Sequence, residues 1–189
     1  MDQLKQYAQE HKVPVMQDEG LDFLLEQIQS NHCLSFLELG TAIARTSIEV
    51  AKLDSRMKVV TIERNPEMIV QAKKNIEASG LFKQIQLIEG DALEVEVDGH
   101  FDCIFIDAAK AQYKRFFEKY SPLLNDNGII ISDNMNFHGL VEHPERTHNR
   151  NTKQLVRKLH DYHDFLASLT QYETKFYDYG DGVACTRRK

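Results

Sequence analysis

Short apolar runs alternate along this chain with stretches in which apolar positions return every three or four residues. The runs predict strands at 34–39, 58–63, 84–89, 103–106 and 128–132. The longer period predicts helices between them. Leu21, Leu24, Leu25 and Ile28 share one face, and a helix over roughly 44–53 follows the first strand. Pro66 suits the first turn of a helix that Gly80 ends, and Tyr113, Phe116, Phe117 and Tyr120 mark another. A last helix runs to about Ser168 with Leu155, Leu159, Tyr162 and Leu166 facing the core. Strand and helix in alternation specify a parallel α/β sheet. Two final strands, near 173–179 and 183–187, flank Gly180-Asp-Gly182, a turn signal for an antiparallel hairpin. Residues 138–152 show no clear period and read as a long loop. Residues 1–32 read as a helical cap of one or two helices, interrupted at Pro14, so that 13–17 is an extended linker lying across the domain.

The 189 residues suit one domain spanning 1–189, and 42% hydrophobic with 28% charged residues is a globular composition. No apolar run approaches the ~20 residues of a membrane span, and the polar start Met1-Asp-Gln-Leu-Lys5 is unlike a signal peptide. Cys33, Cys103 and Cys185 have no metal-type spacing and read as reduced core residues of a cytoplasmic protein. A formal charge of −6 gives no global attraction to nucleic acid. Locally the picture differs. Arg146, Arg150, Lys153, Arg157 and Lys158 stand against only Glu142 and Glu145, and Arg187-Arg-Lys189 closes the chain. That is either a phosphate-binding patch or a solvated helix face.

The chemistry gathers where strands end, which in an open parallel sheet is where ligands sit. Asp107 ends the fourth predicted strand, with Lys110 three residues on, and Asp133-Asn134 ends the fifth. These offer only oxygen ligands, which suit Mg²⁺ or another hard dication and leave about three octahedral positions for water or substrate. Two neighbouring substrate oxygens could fill two of them, and Lys110 could take the proton from an activated hydroxyl. At the first strand–helix turn, Glu38-Leu-Gly40 lacks the dinucleotide fingerprint G-x-G-x-x-G. Glu38 would oppose a pyrophosphate there but tolerate the cationic amino-acid end of S-adenosylmethionine. Glu63 is placed for ribose hydroxyls and Asp91-Ala92 for an adenine edge. Any one of these acids alone could equally be a solvated strand end; three at successive strand ends favour a methyl-donor pocket.

At these residues the chain resembles the cation-dependent, S-adenosylmethionine-dependent O-methyltransferases of the catechol and caffeoyl-CoA class. The matching motifs are Phe36-Leu-Glu-Leu-Gly-Thr-Ala-Ile43, Thr61-Ile-Glu-Arg-Asn65, Glu89-Gly-Asp-Ala92, Phe105-Ile-Asp-Ala-Ala-Lys110 and Ser132-Asp-Asn134. Within the class it looks closest to the bacterial tRNA 5-hydroxyuridine methyltransferases. That likeness rests on Val13-Pro-Val-Met16, Ile106-Asp-Ala-Ala-Lys-Ala-Gln-Tyr113, Asn136-Phe-His-Gly-Leu-Val141 and Gly180-Asp-Gly-Val183. The resemblance implies a Rossmann-like, seven-stranded, mostly parallel sheet with an antiparallel last pair, helices on both faces, and a homodimer. It implies donor contacts from Met16, Thr46, Glu63, Asp91, Ala92 and Asp107, to which the reading of the first turn adds Glu38 and Gly40, a metal on Asp107, Asp133 and Asn134, and a base-like role for Lys110. Two positions depart from the family pattern: Ala44 stands where glycine is usual, crowding the donor, and Arg45 adds a charge at the pocket rim.

Two acceptors fit the chemistry, because a catechol and a 5-hydroxyuridine each carry neighbouring oxygens able to chelate one ion. The basic run favours a tRNA anticodon loop, with Arg146 and Arg150 on phosphates and Phe137 stacking on a splayed base. The alternatives are a small catechol or acyl-CoA acceptor, or a weakened nucleotide-binding homologue without activity.

Overall fold

A computed structural model describes residues 3–141 and 143–189; Glu142, counted in the basic run, lies outside them, as do Met1 and Asp2. Two helices, α1 (Gln3–Glu10) and α2 (Asp18–Ser30), precede the sheet, joined by an extended strap over 13–17. The strands are β1 (Ser35–Leu39), β2 (Lys58–Glu63), β3 (Ile85–Glu89), β4 (Phe101–Ile106), β5 (Leu124–Ser132), β6 (Tyr172–Tyr177) and β7 (Val183–Arg188). The helices between them are α3 (Arg45–Lys52), α4 (Pro66–Ser79), α5 (Tyr113–Tyr120) and α6 (Arg150–Ser168). The sheet order is β3-β2-β1-β4-β5-β7-β6; β1 to β5 are parallel, and β7 runs antiparallel to both its neighbours. This is the expected architecture. Among the described residues no helix is long and apolar enough to cross a membrane.

The two-residue period of the strands divides the core into two layers. Phe36, Cys103, Phe105, Ile129, Ile131 and Cys185 face α2, α3 and α4, where Leu24, Ile48 and Ile76 cover them. Leu37, Leu39, Ile104, Ile106, Ile130 and Ala184 face α5 and α6, covered by Phe116, Tyr120, Leu159 and Tyr162. Central strands apolar on both faces are what a sheet sandwiched between helix layers demands.

Some boundaries move. The last long helix begins at Arg150, inside the expected loop, because Asn149 Oδ1 accepts from Asn151 N at 2.9 Å and Thr152 N at 3.1 Å and so caps it. Its core face carries Val156; Leu155 is only half-buried. The fifth strand starts at Leu124 rather than Gly128, since Asn125 to Asn127 are polar yet continue the strand.

From β1 the chain winds outward through β2 and β3, then returns to place β4 on the other side of β1. The crevice therefore opens at the carboxyl ends of β1 and β4. Gly40 and Asp107 stand on its two lips.

Candidate active site

At that crevice lies a cleft of about 500 Å³. Its floor is Gly40 and Ala42 from the turn after β1, Glu63 from β2, Asp91 and Ala92 after β3, Asp107 and Lys110 after β4, and Asn134 after β5. The strap closes it from above with Val13, Pro14, Val15 and Met16.

Gly40 is required by close packing. Its φ is +100°, and a Cβ there would lie 2.6 Å from the carbonyl oxygen of Asp107. The turn goes on through two more left-handed residues, Ala42 (φ 47°) and Ala44 (φ 66°), each of which costs an L-residue ~1–2 kcal/mol. Glu63 helps hold this turn: its Oε2 accepts from Ala42 N at 2.8 Å, and its Oε1 accepts from Arg64 N and Asn65 N at 2.9 Å each. Asp91 is fixed similarly, by Leu93 N at 2.9 Å and the Arg64 guanidinium at 2.9 Å. The Leu93 hydrogen bond and the Arg64 charge hold its carboxyl below the usual range, so it presents an anion to the cleft.

Several sequence-derived positions sit elsewhere. Glu38 is 1% exposed and lies beneath the floor, accepting from Thr61 Oγ1 at 2.6 Å and from Ser47 Oγ. Thr46 is buried in α3 and does not line the cleft. Ala44 is fully buried; its methyl packs into the core layer under α3 and does not line the cleft. Arg45 is not at the rim: it runs behind the strap, donating to Met16 O at 2.9 Å and Asp18 Oδ1 at 2.8 Å.

Burial pushes the Glu38 carboxyl from 4.5 up to about 7, with the Glu63 charge adding to the shift. A folded-state value above the unfolded one means that folding favours the protonated acid. That contribution is complete below about pH 4.5 and is lost as pH rises through about 7, a change of about 3 kcal/mol. Glu38→Gln is neutral throughout, so its melting temperature should fall less than the parent's between about pH 5 and pH 8. Parallel slopes in a pH series of thermal melts would exclude a buried protonated Glu38.

At the other end of the cleft, Asp107, Asp133 and Asn134 converge. Asn134 Nδ2 donates to Asp107 Oδ1 at 2.9 Å and to Asp133 Oδ2 at 3.0 Å, placing one amide between two carboxylates. Burial pushes both carboxyls above their usual range; the Asp133 charge adds to the shift at Asp107 and the Asp181 charge to that at Asp133, while Lys110 opposes both. Among the described residues, the buried side-chain polar atoms without a hydrogen-bond partner are Tyr113 Oη and Asp181 Oδ2. Tyr113 feels the charges of Asp107 and Asp133, and Asp181 that of Asp133, so both orphans belong to this cluster. No three of the described His, Cys, Asp and Glu side chains are grouped to hold a metal by themselves. The donor set is two carboxylates, whose charge Lys110 partly offsets, and an amide that would offer its oxygen by turning over from its present hydrogen bonds. That set fits a hard dication.

Lys110 Nζ lies 6.0 Å from the centroid of the Phe137 ring. Phe137 and His138 both have positive φ (43° and 57°), and their loop is held by Asp181, whose carbonyl accepts from Asn136 N at 2.8 Å and whose carboxylate accepts from His138 N. The sequence marks Gly180-Asp-Gly182 as a turn and leaves this second duty unread; an acid between two glycines is the only signal of it. Arg146 and Arg150 are exposed and do not line the cleft.

The whole chain, residues 1–189, matches the O-methyltransferase family model. It is 34% identical over 108 residues to the catechol O-methyltransferase of Niastella koreensis, covering 53% of this chain and 49% of that protein, so the match spans about half of that relative's length. A Staphylococcus aureus structure, provisionally assigned as a caffeoyl-CoA O-methyltransferase, superposes with a TM-score of 0.94 at 39% identity, over 98% of this chain and 90% of that one. An O-methyltransferase from Bacillus cereus, solved with SAH, shares the fold with a TM-score of 0.85 at 24% identity, over 100% of this chain and 90% of that one.

Proposed function

The chain belongs to the O-methyltransferase family, and from that premise we propose that it methylates one hydroxyl of a small acceptor bearing two neighbouring oxygens, a catechol or an acyl-CoA ester of one. The observation that carries this reading is the convergence of two carboxylates and an amide, Asp107, Asp133 and Asn134, beside Lys110 at one end of the cleft. The names of the catechol and caffeoyl-CoA relatives support the acceptor class.

Asp107, Asp133 and Asn134 would hold Mg²⁺ or a similar dication, and the cleft between the strap and Glu63 would hold S-adenosylmethionine. When bound, the donor supplies the electrophilic methyl group and the ion lowers the pKa of an acceptor hydroxyl. The protein's own part is positioning and proton handling. Glu63 and Asp91 are locked by backbone amides and point fixed acceptors into the adenosine end of the cleft. Gly40 lets the first turn pack against Asp107. Lys110 Nζ, as the free amine, would be the nearby base that receives the acceptor's proton, and Phe137 beside it, just outside the residues that line the cleft, would offer an apolar face to a planar ring.

A second reading, 5-hydroxyuridine of a tRNA wobble position as acceptor, is favoured by one observation: Arg150, Lys153, Arg157 and Lys158 are all exposed on α6. The comparisons favour the small acceptor. The two separate in one assay, with S-adenosylmethionine, Mg²⁺ and either catechol or an anticodon stem-loop carrying 5-hydroxyuridine. Methylated catechol and unmodified RNA are expected, and Arg150→Glu should change catechol turnover less than about twofold, the usual reach of a surface charge. Methylated RNA, with binding that weakens steeply as salt rises and again on Arg150→Glu, would move the assignment to tRNA.

A further inference from the structure

We infer that Arg45 is a positioning residue for the methyl donor: it latches the strap over 13–17 onto the sheet, and thereby sets the roof of the donor cleft. The inference rests on the donor reading of that cleft.

Arg45 is 7% exposed and sits at the start of α3, directly after the turn that forms the floor. A guanidinium so buried is tolerated only when hydrogen-bonded and charge-paired. Its Nη1 donates to the backbone carbonyl of Met16, and its Nη2 to the carboxylate of Asp18. Both partners are on the strap or at the first residue of α2. Arg45 thus bridges floor and roof through the planar fork that suits two acceptors at once.

The strap needs such a tie. A second hollow of about 550 Å³ lies on its far side, and Lys12, Val13, Pro14, Val15 and Met16 line both spaces. It is therefore a single extended segment between two cavities, making no strand ladder with the sheet. Apolar contacts hold its two ends: Val13 packs with Ala8 and Ile43, and the Met16 side chain lies against Gly20. Arg45 adds a directional bond at the residue whose side chain roofs the cleft. Lys5 supports the same corner by pairing with Asp18.

The test combines donor titration with limited trypsin cleavage at Lys12, an exposed residue in the turn that leads into the strap. For Arg45→Ala, the dissociation constant for S-adenosylhomocysteine and the KM for the donor should each rise about tenfold or more, since a lost bond to a charged group is of that size. The acceptor KM should stay within about twofold and kcat at saturating donor should fall less than about threefold, a split that general destabilisation would not produce. Lys12 should be cut faster in the variant without donor, and Arg45→Lys should fall between the two. Asp18→Asn, at an exposed position, serves if Arg45→Ala does not fold; it should weaken donor binding a few-fold. Equal donor affinity and equal Lys12 cleavage in variant and parent would overturn the latch. A parent that binds no S-adenosylhomocysteine would instead overturn the donor reading, and the donor-free cleavage rates would then judge the latch by themselves.

Discussion

Asp107→Asn is expected to lower methyl transfer at least about a hundredfold, the usual cost of removing a charged group from the reacting centre, while leaving the protein as stable as the parent or more so. The two effects have one cause. Asp107 is pushed above the usual carboxylate range by burial and by Asp133 across the cluster. Its ionised form is therefore disfavoured in the free protein, relieved in part by Lys110 and by the hydrogen bond from Asn134. A carboxyl raised on folding contributes stability that is complete below the unfolded value and is lost as pH rises through the folded one. Replacing it with a neutral amide removes that loss, and the oxygen of the new amide could still accept from Asn134 Nδ2, as Asp107 Oδ1 does. The variant should therefore match the parent in acid and melt about 2–8 °C higher at pH 8, corresponding to about 1–2 kcal/mol for a chain of this size. Paired melts at both pH values with a turnover assay decide it. A variant that loses activity and also melts well below the parent would mean that Asp107 is a structural residue.

Gly40→Val should be the most damaging change on the donor side. The added Cβ would sit 2.6 Å from Asp107 O and 3.0 Å from Ala108 Cα, and both are backbone, which cannot swing aside. The φ of +100° is also closed to a β-branched residue. Either β1 and β4 separate at their carboxyl ends or the turn refolds. Both outcomes move the cleft floor and Asp107 together. A loss of about 2–4 kcal/mol in stability is expected, with donor binding weakened beyond measurement even below the melting temperature. Chemical denaturation and donor calorimetry give the two numbers. A stable variant with parental donor affinity would show that the close approach of these two strand ends is dispensable.

What the sequence reveals and what it hides divide along a physical line. Strand runs such as 58–63, and acids standing at their ends such as Glu63, Asp91 and Asp107, are local patterns. A two-residue period and a strand terminus suffice to put them on the cleft. Direction of side chains is not local. Glu38, one residue before the end of β1, faces down into the layer holding Ser47 and Thr61, so the sequence pattern points it into the pocket and the fold puts it under the floor. Ala44 and Arg45 read along the chain as intrusions into the donor space. The left-handed turn rotates the methyl into the core and sends the guanidinium to the strap instead. The duties of Asp181 depend on β7 bringing it beside Asp133 and the 135–138 loop, a juxtaposition set by a strand order that no short motif encodes.

The claim on which the rest depends is that Asp107, Asp133 and Asn134 hold a dication that serves methyl transfer. Its most direct test is transfer of labelled methyl from S-adenosylmethionine to catechol by protein stripped with EDTA and dialysed, before and after adding Mg²⁺. Activity that disappears on stripping, returns with Mg²⁺ in the parent and does not return in Asp107→Asn is the predicted result. Full transfer by the stripped protein, unaffected by added Mg²⁺, would contradict it.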